Sequence, residues 1–175
     1  MILVDAVSYF AYVRDIAFRM PLSVGEPEYN CWGKHVVLKN LLSSLGFKVR
    51  YALCRFSWNS LDIPESLKQI PHEDVAHIYL EVYNKEEARW MTVDATWDKG
   101  LVSKLPVSEW DGRSDTAIAV KPIERLKPIE TQEEFDKWSD LPSEEKWLSL
   151  PMSSPLKVNG KFYEALNQWL ENIRT

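Results

Sequence analysis

No run of this chain approaches the roughly 20 apolar residues that a helix needs to cross a bilayer. The opening residues, with Asp5 and Arg14-Asp15 in the first helical stretch, do not have the layout of a signal peptide. A cytoplasmic location without a membrane partner is therefore the expectation. Cysteine is scarce: Cys31 and Cys54 are the only two, too few for a disulfide framework in a chain of this size, so both are read as thiols. No block of five or six basic residues occurs and the net charge is −5, which removes the usual electrostatic footprint for nucleic acid. Neither an internal repeat nor a low-complexity tract is present, and no cofactor or metal is implied.

What the chain does have is enough length, at 175 residues, to bury one core, with 45% hydrophobic residues and eight Trp among them. Apolar spacing at Val4, Val7, Phe10, Ala11, Val13, Ala17 and Phe18 predicts a helix over 3–20, ending before Pro21. Asn30 is a good N-cap for a second helix whose inward positions are Leu38, Leu41, Leu42 and Leu45, with Gly46 just past its end. Counting back seven from Leu38 puts Cys31 on the same inward face. A strand is expected from Phe47 to Phe56, and then a long loop from Ser57 to Val75 whose length makes Trp58 and Pro71-His72-Glu73-Asp74 candidates for the rim of a site. A strand is also expected at Thr116 to Val120. Farther on, Thr131-Gln132-Glu133-Glu134 has the form of a capping box, and Asn159 precedes a helix striped by Phe162, Leu166, Trp169, Leu170 and Ile173. The expected architecture is α+β, a helix bearing Cys31 packed on an antiparallel sheet, with residues 1–120 as the core and 121–175 as a helical extension.

Two strands can be registered against each other. If Asn84-Lys85-Glu86-Glu87 is the hairpin loop, Tyr83 pairs with Ala88, and counting outward brings His77 directly opposite Asp94 on one face. Cross-strand partners have Cβ atoms roughly 4.5–5.5 Å apart, within reach of a carboxylate-imidazole bond. A one-residue slip would send the two to opposite faces.

Cys31, His77 and Asp94 are thus the candidate catalytic residues. A thiol needs positive potential or an adjacent base to become a nucleophile. The first turn of a helix offers the positive end of its dipole and unpaired N–H groups that can also hold an oxyanion. His77 would take and return the proton, and Asp94 would orient the imidazole and stabilise its charged form. Singly, such residues are more often a buried hydrophobe, a structural histidine and a turn cap; the joint pattern is what singles them out. His35, one turn after Cys31, is a weaker candidate base, and as a metal partner it lacks further ligands. Cys54 reads as an inert core thiol and His72 as part of a solvated acidic loop. Trp58, Trp97, Trp110, Trp138 and Trp147 could line a groove, but most read as core.

These residues carry a resemblance. Tyr12-Val13-Arg14-Asp15-Ile16, Cys31-Trp32, the run Leu41 to Arg50, His77-Ile78-Tyr79-Leu80-Glu81-Val82 and Trp90-Met91-Thr92-Val93-Asp94-Ala95-Thr96 are together similar to the transglutaminase-like superfamily, over about residues 4 to 100. The resemblance implies a papain-like arrangement and a Cys31-His77-Asp94 triad acting on amide or related acyl bonds through a thioester. Water as acceptor makes a hydrolase, an amine makes a transferase, and some members of the superfamily have no demonstrated activity. The chain departs from the pattern at Tyr29, where many members carry Gly, and shows no obvious Gln or Trp just upstream to complete an oxyanion hole. Lacking an Asp-rich calcium loop, it does not suggest calcium-dependent cross-linking. The expectation is a cysteine hydrolase of peptide, isopeptide or other amide substrates, with a silent binding or scaffolding domain or an amine acyltransferase as alternatives.

Overall fold

A computed structural model describes residues 2–23, 25–131, 133–135, 137 and 155–174. The chain is α+β. Helix α1 (Ile2–Arg14) and helix α2 (Cys31–Ser44) precede strand β1 (Val49–Phe56), and the short helix α3 (Glu65–Lys68) leads into the hairpin of β2 (Val75–Asn84) and β3 (Arg89–Val93). A two-residue strand, β4 (Glu124–Arg125), completes an antiparallel sheet of order β3-β2-β1-β4, and helix α4 (Pro155–Ile173) closes the chain. Among the described residues no helix is long and apolar enough to cross a membrane.

The alternation of side chains along the strands splits the core in two. One face carries Tyr51, Leu53, Ile78, Leu80 and Val82 against Phe10 and Val13 of α1 and Leu38 and Leu42 of α2. The other carries Ala52, Cys54, Phe56, Val75 and Tyr79 against Phe162, Leu166 and Leu170 of α4. Full burial of a Leu such as Leu38 or Leu42 is worth about 2 kcal/mol each, so both faces are held mainly by apolar area. Asparagine and arginine side chains tie α4 down: Asn159 accepts from the Glu73 N–H, Asn167 exchanges two hydrogen bonds with the Met20 backbone, and Arg174 reaches both Asp98 and the Phe18 carbonyl.

Several local expectations change. Helix α1 stops at Arg14 rather than near Pro21, because the carbonyls of Arg14 and Ile16 are taken by the Lys34 ammonium and the Phe18 N–H by Asp98. Residues 116–120 form no strand; Thr116 gives β3 one backbone bond, to Thr92, and then wraps Asp94. Much of the 57–75 loop is core: Trp58, Leu61, Ile63 and Leu67 are buried in it, and the half-buried His72 stacks on Phe162 with ring centroids 4.5 Å apart. Asn159 sits inside α4 rather than ahead of it. Trp97 and Trp110 are core, as is Trp58, while Trp138 and Trp147 fall outside the described residues, as does Gln132 of the capping box. The reciprocal bonds of that box are present between Thr131 and Glu134.

The hairpin pairing is shifted by two residues and its loop by one. Tyr83 pairs with Trp90 and Asn84 with Arg89, so the loop is 85–88. Asn84 stays in the ladder while its side chain accepts the Glu86 and Glu87 N–H groups, and Ala88 closes the turn at φ 52°, a left-handed conformation unusual for Ala. His77 is therefore two positions out of step with Asp94. A slip of two preserves the face, so the pair still meets, diagonally.

Candidate active site

The nucleophile candidate is set by a short-range helix start. Asn30 caps α2, its side chain accepting from the Gly33 N–H at 3.2 Å, and Cys31 is the first helical residue. Gly33 is required there, since a Cβ would run into the Glu28 carbonyl. Cys31 is half-buried against the α1/α2 side of the core, where the first helical amides have no intrahelical partner.

His77 projects from β2 with 1% exposure, and its Nε2 donates to Asp94 Oδ2 at 2.7 Å. That leaves Nδ1 as the ring nitrogen for the Cys31 side chain, which lies close enough to help raise the imidazole. Asp94 sits one residue beyond β3. Its Oδ2 also accepts from the Ala119 N–H at 2.8 Å, its Oδ1 from the Thr96 N–H at 3.0 Å, and its own N–H donates to Thr116 Oγ1. Burial alone would neutralise both groups, but each supplies the other's missing solvation. The His77 charge and its bonds hold the Asp94 carboxyl well below the usual carboxylate range. Against burial, Asp94 and Cys31 raise His77 above an ordinary histidine.

Two residues beside the trio were misread or missed in the sequence. His35 is neither base nor metal ligand. Its Nε2 accepts from the Ala95 N–H at 3.0 Å, so the proton is on Nδ1, which donates to the Cys31 carbonyl at 2.6 Å. Burial pushes it down to about 4, with the Asp94 charge only partly opposing. Lys34, 1% exposed, donates to the carbonyls of Arg14, Ile16 and Thr96 at 2.8, 2.9 and 2.6 Å, which uses all three ammonium donors. Together Lys34 and His35 fasten the first turn of α2 to the 94–96 segment. The only sequence signal was a lysine and a histidine on the inward side of an amphipathic helix, a position where charge is rarely buried without partners.

Cys54 is fully buried in β1 directly opposite His77, and burial, then the charges of Asp94 and Cys31, push its thiol up to about 12. Phe56 and Tyr79 contact the His77 ring edge-on and face-on, at 6.1 and 6.0 Å. Among the described residues, no group of three or more His, Cys, Asp and Glu is arranged to hold a metal ion.

No protein-family model, curated protein or solved structure matches this chain. The chemistry must be read from the site itself. A thiol beside an imidazole that is bonded to a buried, multiply hydrogen-bonded carboxylate can generate a thiolate and shuttle its proton.

Proposed function

We propose that this chain is a transglutaminase-like cysteine hydrolase of papain-like fold that cleaves a peptide, isopeptide or other amide bond. The observation that carries the reading is the buried His77–Asp94 hydrogen bond with Cys31 beside the imidazole, brought together by a helix start, a strand and the turn after its neighbour.

His77 Nδ1 takes the Cys31 proton, and the thiolate attacks the carbonyl carbon. The resulting oxyanion is held at the start of α2, where the Cys31 N–H is free of intrahelical bonding. As the C–N bond breaks, the imidazolium protonates the departing amine, leaving a thioester on Cys31. His77 then removes a proton from water, whose oxygen attacks the thioester; the acid leaves and Cys31 regains its proton. Asp94 stays ionised throughout and stabilises the imidazolium.

Alkylation with iodoacetamide at pH 6, read by mass spectrometry on each thiol, tests the first step. Wild-type Cys31 should react tenfold or more faster than Cys31 in His77→Ala, an estimate from the usual gain of a thiol paired with a base, about 10²–10⁴ in catalysis. Equal rates in the two proteins would remove the hydrolase reading. A screen of fluorogenic peptide and isopeptide amides, with the acyl-enzyme trapped at low pH, then reads the chemistry directly.

A further inference from the structure

The sheet places a second cation in line with His77. Cys54 of β1 pairs with His77 on one side and with Arg125 of β4 on the other, so the three side chains form one cross-strand row on the same face. Ladder bonds on either side of Arg125, Ile123 N–H to the Arg55 carbonyl and Leu126 N–H to that of Leu53, fix that register. Arg125 is exposed, and its Nη1 lies 3.5 Å from the Tyr79 hydroxyl, while the Tyr79 ring stacks on the imidazole of His77.

The row is short of negative charge. Asp94 is committed to His77, Thr96 and Ala119; Glu124 is on the opposite face beside Arg55; Glu81 pairs with Arg50 at 2.7 Å. Cys54 and Tyr79 stay neutral, since burial raises both. Among the described residues no carboxylate lies within ion-pair distance of Arg125. In a chain of net charge −5, this row thus holds an imidazole that carries the Cys31 proton once the thiolate forms, and a guanidinium with no carboxylate partner among the described residues.

Given the hydrolase reading, we propose that Arg125 is a specificity-determining residue that binds a carboxylate of the substrate. His77 and Arg125 are two strand spacings apart, roughly 10 Å between backbones. A carboxylate one or two residues from a scissile bond held at Cys31, roughly 3.5–7 Å along an extended chain, is within reach of a guanidinium at that separation. A guanidinium meets a carboxylate in a bidentate, charge-assisted pair, which selects this group over a neutral one. The substrate class is an amide with a free C-terminal carboxylate or an acidic side chain close to the cleaved bond.

Thiol reagents that differ only in charge test this without knowledge of the substrate. The rates of Cys31 with N-ethylmaleimide and with carboxyalkyl maleimides of increasing chain length are expressed as a carboxylate-to-neutral ratio. That ratio should peak at one chain length in the wild type, fall about tenfold in Arg125→Gln, recover in part in Arg125→Lys, and hold in Lys127→Gln, a nearby exposed cation outside the row. A ratio that is the same in Arg125→Gln, or that falls equally in Lys127→Gln, overturns the subsite. The ratio is readable whatever the absolute rate, so failure of the hydrolase reading, seen as an ordinary rate with N-ethylmaleimide, is distinct from failure of the subsite. Protection of Cys31 by N-acetyl-Ala-Ala against protection by N-acetyl-Glu-Ala-amide separates a terminal from a side-chain carboxylate. Protection by neither, or undiminished protection in Arg125→Gln, also overturns the proposal.

Discussion

His35 and His77 are both fully buried, have ring centroids 6.4 Å apart in an edge-to-face arrangement and flank the same aspartate, yet their surroundings favour opposite protonation states. The helix side and the strand side of the site differ in what each offers a ring nitrogen. On the strand side, His77 Nε2 meets a carboxylate oxygen, an acceptor, at 2.7 Å, so the ring keeps its proton there and charge is favoured. On the helix side, His35 Nε2 meets the Ala95 N–H, a donor, and stands 3.6 Å from Asp94 Oδ1, so the carboxylate only partly offsets the cost of burying a charge. Burial therefore does not set the role of a histidine; the polarity of its hydrogen-bond partner does.

The sharpest break of this contrast is to remove the strand-side imidazole. His77→Ala should lower turnover of any amide substrate by about 100-fold or more, whereas His35→Phe should leave it within about tenfold, as measured by kcat/KM. Next in size is Asp94→Asn, which leaves a histidine buried without its counter-charge. A loss of about 3–5 kcal/mol in chemical denaturation is expected, with the His77 titration, followed by NMR, moving back toward an ordinary histidine. If that titration stays raised in Asp94→Asn, the carboxylate is not what distinguishes the two rings.

pH separates the two sides further. His35 falls from 6.5 to about 4 on folding, so the unfolded chain binds the extra proton in that interval and stability drops as pH falls through it, by about 3 kcal/mol. His77 is raised, so its contribution is complete below about 6.5 and is lost as pH rises above that value toward its folded pKa. Asp94, lowered, adds an acid loss only below about 3.8. Denaturation midpoints across pH 4–7 should thus flatten in His35→Phe and keep their slope in His77→Ala. The smallest effect belongs to Cys54→Ala, about 1 kcal/mol of stability from the lost buried sulfur, with the alkylation rate of Cys31 within a factor of two.

Much of the scaffold around the site was legible from local pattern. The Asn30 cap, the inward face of α2 and the shared face of His77 and Asp94 all follow from periods of 3.6 and 2. The exact pairing did not: Asn84 looks like a loop residue, and nothing local announces that Ala88 will adopt a left-handed turn, so β2 runs one residue farther than its composition suggests and the pairing moves by two. The helix side was largely hidden. Lys34 reads as a solvated charge until the end of α1 and the Thr96 carbonyl are brought around it, and His35 reads as a possible base until Ala95 donates to it.

By itself, then, the amino-acid sequence determined the α+β class, where α2 begins and which face the residues of α2 and the hairpin share, because those depend on neighbours within one turn or one pleat. Which groups share protons was decided by the tertiary structure alone. The Ala119 N–H on Asp94, the three carbonyls around Lys34 and the alignment of Arg125 with His77 join residues from 18 to 62 positions apart. Protonation answers to partners within about 3 Å, and only the folded chain brings such partners together.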